Sequence, residues 1–414
     1  MPRPGRLTAK RSASVLGLLL LITLIGVSAD FALKGECASS DWRNGIQYTR
    51  LCYSDPVALY RDHHLDLDRI PYVEEENEYP VATGALMYGA ALLSSSSSAF
   101  FVWNLVILGA CALLTTLVLW ATVRDQWQVL LFAAAPAIAL YTAHNWDMAA
   151  VLCVAVGLWQ WRKQRWTLAG VAFGVGVAAK LYPLAALPTG IAALLVAGRR
   201  REAGRYAAAL VGAWAALNVP VMIASFSGWL RSYTFHAERV PDFGSSWYWP
   251  FDRRVDFSDT WFRLTVDLVG LGSMAGALVV VVWLQRRRQL PMENATAILI
   301  ATFLLVAKVH SPQYALWLLP FYVIVRRSPM LLASWAMYVV ADVLVFVSVF
   351  RRIAQFSRFS DDTINWELLL QMGVGLRVVA IVLGVAAFLA PVRARAGPDA
   401  MPASTATRPA GVTG

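Results

Sequence analysis

Long apolar runs recur along this chain, and they constrain its fold more than any other feature. They fall near residues 13–30, 99–121, 127–143, 147–161, 166–182, 183–198, 205–226, 263–285, 295–309, 311–325, 328–350 and 366–391. A helix needs about 20 mostly apolar residues to cross a bilayer, so the runs predict about twelve spans, several of them short. In lipid only helices and closed barrels satisfy every backbone polar group. The runs are continuous and do not alternate, which excludes a barrel. The predicted fold class is all-α, a polytopic transmembrane helical bundle. Composition agrees: 58% of the 414 residues are hydrophobic and 15% charged, against roughly 25% charged in a soluble domain.

The net charge of +10 does not point to nucleic acid, because the basic residues sit in short clusters between apolar runs. That is the pattern of the positive-inside rule. With the N-terminus cytoplasmic, Arg162-Lys163-Gln164-Arg165, Arg199 to Arg201 with Arg205, Arg286 to Arg288, Arg326-Arg327, and Arg393 with Arg395 all fall on the inner side. Most carboxylates then fall outside: Asp55, Asp62, Asp66, Asp68, Glu74 to Glu76, Glu78, Asp242, Asp252, Asp256 and Asp259. The chain is thus expected in the cell membrane with both termini cytoplasmic. Residues 1–12 and 392–414 are expected as cytoplasmic tails, the second disordered. Residues 13–391 form the membrane domain, with outer loops at 31–80 and 227–262. Residues 81–93 are apolar but too short to span, and predict an interfacial or re-entrant helix.

The first outer loop is long and acidic. It also holds Cys37 and Cys52, which an oxidising compartment would allow to pair; two unpaired small side chains are the alternative. Cys111 and Cys153 fall inside apolar runs and read as packing residues. Glu74 to Glu76 read as a solvated charge run rather than a metal site.

Polar residues gather at the outer ends of the spans. Asp55 lies in the first loop. Asn145 and Asp147 sit at one outer junction, Lys180 and Tyr182 at the next, and Lys308, His310, Gln313 and Tyr314 at a third. Each has a plainer alternative: Lys180 snorkels to the interface, Asp147 caps a helix, and residues 308–314 make a polar turn beside Pro312. Together they mark a site, since ionisable groups at membrane depth are there for a reason. Trp247 and Trp249 in the second loop offer flat faces to a sugar or anchor at the interface. Asp342 and Arg377 lie at similar depth in the last two spans, at about 1.5 Å per residue. They predict a buried ion pair, with Arg377 on a lipid phosphate as the rival reading.

This combination resembles the GT-C glycosyltransferases, specifically family 87, which contains polyprenol-phosphate-mannose-dependent mannosyltransferases of actinobacterial type. The resemblance rests on Cys52-Tyr53-Ser54-Asp55, Glu78-Tyr79-Pro80, Asn145-Trp146-Asp147, Lys180-Leu181-Tyr182-Pro183 and Lys308-Val309-His310-Ser311-Pro312-Gln313-Tyr314. It implies an outward cavity and a lipid-linked sugar donor. It also implies a general base in the first loop, matched best by Asp55, with Glu78 and Asp62 as second choices. Pro56 stands where many such enzymes carry a second acid. Lys180, Lys308, His310 and Arg377 are candidate ligands of the donor phosphate. Asn145, Asp147, Tyr182, Gln313, Tyr314, Trp247 and Trp249 are candidate lining residues. The expected reaction moves a hexosyl group, mannosyl before arabinofuranosyl, from a polyprenyl phosphate to a glycolipid or polysaccharide, with inversion. No cofactor or metal is expected, and membrane lipids are the other expected partners. A lipid or sugar transporter is the competing class, although no internal repeat supports it.

Overall fold

The computed structural model describes residues 12–390, apart from residues 41, 253 and 289. Except for Ser12, the two expected tails lie outside the described residues. In chain order the helices that build the site are α1 (Ala13–Ala38), α2 (Asp55–Asp62), α3 (Val81–Ala91), α4 (Ser97–Thr122), α5 (Pro136–Tyr141), α6 (Asp147–Arg162), α7 (Trp166–Ala179) and α8 (Ala186–Val196). They are followed by α9 (Arg200–Ala224), α10 (Phe226–Glu238), α11 (Thr260–Arg288), α12 (Met292–Val306), α13 (Ala315–Ile324), α14 (Pro329–Phe356) and α15 (Trp366–Leu389). Among the described residues there is no strand.

Among the described residues six helices, α1, α4, α9, α11, α14 and α15, are long and apolar enough to cross a membrane. The remaining expected spans are shorter helices. The run at 127–143 breaks at Pro136, which opens α5 as its first residue; proline fits that position because it has no N–H to donate. Every residue of α13 is buried, so its apolar character serves protein neighbours and not lipid. Short or broken segments of this kind are tolerated where protein covers the backbone.

Local chemistry sets the helix starts. Ser12, Ser96, Ser225, Ser328 and Asn365 each accept a backbone N–H of the first turn of α1, α4, α10, α14 and α15, satisfying donors that a helix start leaves open. Gly170 and Gly174 lie four apart on α7, and a Cβ at either would strike the backbone of α9 at Tyr206 or Leu210. Their lack of side chains lets the two helices pack in close contact. α14 and α15 form the other extensive helix pair.

The hairpin α6–α7 fixes two ends of the bundle. At one end Arg162 bonds Glu293 at 2.9 Å and the Ile324 carbonyl at 2.9 Å, which gathers the end of α6, the start of α12 and the end of α13. At the opposite end lie Asp147, Lys180 and the segment after α12. The first loop differs from expectation in its boundary. α1 continues through Ala38, so Asp30 and Lys34 lie on a helix and the loop opens at Ser39. The Cys37–Cys52 disulfide ties the end of α1 to the segment entering α2, with Cα atoms 6.1 Å apart. The second long loop begins as helix α10 and includes a further turn at Tyr248–Phe251.

Candidate active site

Asp55 is the first residue of α2, with Pro56 behind it. Its backbone N–H donates to the His144 carbonyl at 2.9 Å, and the neighbouring Ser54 hydroxyl donates to the Ala143 carbonyl at 2.6 Å. These bonds lay the start of α2 along the turn between α5 and α6. Asn145 on that turn donates its amide to Asp55 Oδ2 at 2.5 Å and to the Tyr79 hydroxyl at 2.8 Å. The Tyr79 hydroxyl donates to the same Asp55 oxygen at 3.1 Å. Asn145 is itself fixed, since its Oδ1 accepts the Trp146 N–H at 2.6 Å.

A lysine stands beside this carboxylate. Lys180 Nζ lies 4.8 Å from the centre of the Tyr79 ring and 3.4 Å from Asp147 Oδ2. The other Asp147 oxygen accepts the Trp317 indole N–H at 2.7 Å. Burial holds the Asp55 carboxyl above the ordinary carboxylate range, against the opposing pull of hydrogen bonds from Tyr53, Asn145 and Tyr79 and of the Lys180 charge. A carboxyl in that condition holds a proton more readily than a solvated aspartate.

An aromatic wall adjoins the pair. Tyr182 and Tyr314 both stack on Trp317, at 4.4 and 3.9 Å between ring centres. Tyr314 feels both Asp147 and Asp242, so it links this cluster to a second one. There Asp242 accepts the N–H of His310 at 3.2 Å and of Gly244 at 3.1 Å. Arg377 Nη2 donates to the Gly244 carbonyl at 2.5 Å and to the His310 carbonyl at 3.5 Å. His310 is buried, and its Nδ1 pairs with the Leu304 carbonyl at 3.0 Å. Gln313 is also buried, with Oε1 lacking a protein partner.

The structure therefore brings Asp55, Asn145, Asp147, Lys180, Tyr182 and Tyr314 into one cluster, with Gln313 next to Tyr314 on the same turn and His310 and Arg377 in the adjoining cluster around Asp242. Other candidates stand apart. Asp62 lies at the exposed far end of α2, about 10 Å along the helix from Asp55. Glu78 faces His63, 3.4 Å from its Nε2. Burial disfavours the charged His63 ring, but the Glu78 carboxylate outweighs it and the ring's pKa is raised. Lys308 Nζ is held by the Ala237 carbonyl at 2.7 Å and Asp267 at 2.9 Å. Trp247 and Trp249 donate to the carbonyls of Val306 and Phe243 at 2.8 and 3.0 Å, so both pin the second loop. Glu75 and Glu76 pair with His64 and Arg231, and Glu74 caps the Ile70 N–H. Arg377 is the positive charge acting on Asp342, but its guanidinium serves backbone carbonyls and closes no direct salt bridge to Asp342.

Sequence reasoning left Tyr53, Trp317, Asp242 and the Asp30–Lys34 pair out of the site. An acid and a base four residues apart at the end of an apolar run is a helical pairing signal, and it was available for the last of these.

The fold is thus an all-α bundle with membrane-spanning helices, a clamped carboxylate and a lysine beside it at one end of its short helices. The sequence pattern of glycosyltransferase family 87 matches residues 78–312, and the chain belongs to that family as a membrane glycosyltransferase. No curated protein matches the chain. The matched range takes in Asn145, Asp147, Lys180 and His310. Asp55 precedes it and is joined to it by the bonds from Tyr79 and Asn145. Family membership displaces the transporter alternative.

Proposed function

We propose that this enzyme transfers a hexosyl group, mannosyl by expectation, from a polyprenyl-phosphate sugar to a glycolipid or polysaccharide acceptor, with Asp55 as general base. The observation that carries the reading is the double clamp on Asp55 Oδ2 by Asn145 and Tyr79, with Lys180 alongside. Asp55 takes the proton of an acceptor hydroxyl, and that oxygen attacks the anomeric carbon. The bond from that carbon to the phosphate oxygen breaks, and the lipid phosphate leaves with the electron pair. One base and no covalent nucleophile give inversion.

Lys180 is the proposed partner of the leaving phosphate, since a fixed cation acts where charge develops. Its ion pair with Asp147 orients it. Tyr182, Tyr314 and Gln313 are proposed to line the sugar, and His310 and Arg377 to support the wall behind them. No step passes through a metal. The reaction is proposed on the outer side of the cell membrane, with both termini inside and residues 13–391 acting as one domain. The charge distribution supports that orientation.

The test is turnover of labelled polyprenyl-phosphate mannose by purified enzyme in detergent with a glycolipid acceptor. D55N should fold and bind the donor yet lose transfer by at least ~100-fold. Full transfer by D55N removes Asp55 as the base and passes the role to Glu78.

A further inference from the structure

The turn between α5 and α6 carries Asn145, and it is held from two sides. Ser54 and Asp55 hold it from the first loop, as described. From the other side it is held by an ion pair on α1. Asp30 and Lys34 are four residues apart, fully buried, and bonded to each other. Each also spends a contact on the turn. Asp30 Oδ2 accepts the Ala143 N–H at 2.8 Å, and Lys34 Nζ donates to the Leu140 carbonyl at 2.5 Å. Ala143 is thus gripped at both of its polar groups, its N–H by Asp30 and its carbonyl by Ser54. Two residues later comes the amide that clamps the base.

Burying a charge pair in an apolar helix rarely adds stability over an apolar pair of like volume, so packing alone does not account for this one. Neither residue hydrogen-bonds Asp55, although the Lys34 charge is near enough for the two to interact. Among the described residues, their hydrogen bonds beyond each other and their own helix go to the backbone of residues 140–143.

We infer that Asp30 and Lys34 are positioning residues, which set the backbone of residues 140–145 so that Asn145 holds Asp55 in its reactive orientation. The inference rests on Asp55 being the base. Small displacements suffice to matter, because a shift of about 1 Å in a reacting group costs ~100-fold in rate.

The variant D30L/K34M keeps volume and neutrality but removes both grips. It should assemble in the membrane with donor KM nearly unchanged, kcat lowered ~10- to 100-fold, and faster hydrogen exchange of the amides of residues 141–146. D30N/K34Q keeps an acceptor for Ala143 and a donor for Leu140, and should recover most of kcat. Wild-type kcat and exchange in D30L/K34M overturn the inference, as does equal loss in both variants. Should D30L/K34M not assemble, exchange on the wild-type enzyme decides: the Ala143 amide must be protected to the level of the α6 amides, and free exchange there overturns the inference. D55N in the same assay separates the two ideas. Activity retained by D55N removes the base assignment, while the exchange data still report on the grip.

Discussion

Asp55 titrates in an environment that disfavours its charge. Its unfolded pKa is about 3.9, and burial raises the folded value. The ionised form therefore weakens the fold at neutral pH, and that penalty vanishes as pH falls below the unfolded value. D55N should unfold at a temperature equal to or above wild type at pH 7, measured by fluorescence-detected melting in detergent. The wild-type rate should fall as pH drops through the raised pKa, so the acid limb of kcat/KM should lie above ~4. His63 gives the opposite sign. Its folded pKa is raised through Glu78, so its pairing contributes fully below ~6.5 and is lost as pH rises through the folded value. H63Q should lower stability by about 1 kcal/mol or less at pH 5.5 and by almost nothing at pH 9.

At the scale of elements, the first loop is a built structure and not a tether. It is bonded to α1 through Cys37–Cys52 and to the α5–α6 turn through Ser54 and Asp55. The separation of 15 residues gives a loop-closure contribution of about 3 kcal/mol. A C37S/C52S enzyme should lose about that much in denaturant titration, with α2 the first element to exchange. Sequence made much of this site legible. Asn145, Asp147 and Lys180 stand out because polar groups next to apolar runs must have partners. Asp30 and Lys34 carry a pairing signal in their spacing of four, but hydropathy puts the start of the loop at residue 31, which splits the pair and leaves Lys34 in solvent. The span count is also hidden. The apolar run of α13 looks like a lipid-facing helix in sequence, and its burial on all sides is a property of its neighbours. Lys308 and Trp247 were readable as polar or aromatic, but their partners, Asp267 and the Val306 carbonyl, lie across a fold that local pattern does not reveal.

The whole molecule separates its charges by end. Arg162 and Glu293 lie at one end of the short helices, and Asp147, Lys180 and Asp55 at the other. The proposed orientation puts the second end outside. In a C111S/C153S background, a single cysteine at Glu75 should react with a membrane-impermeant thiol reagent in intact cells, and one at Gln164 only after lysis; the reverse pattern inverts the topology. The cystine of the first loop bears on biogenesis in that frame. Thiols are oxidised on one face of the membrane only, so a chain threaded the wrong way round keeps both sulfurs reduced. In the proposed orientation, correctly inserted copies acquire a covalent seal that misdirected siblings lack.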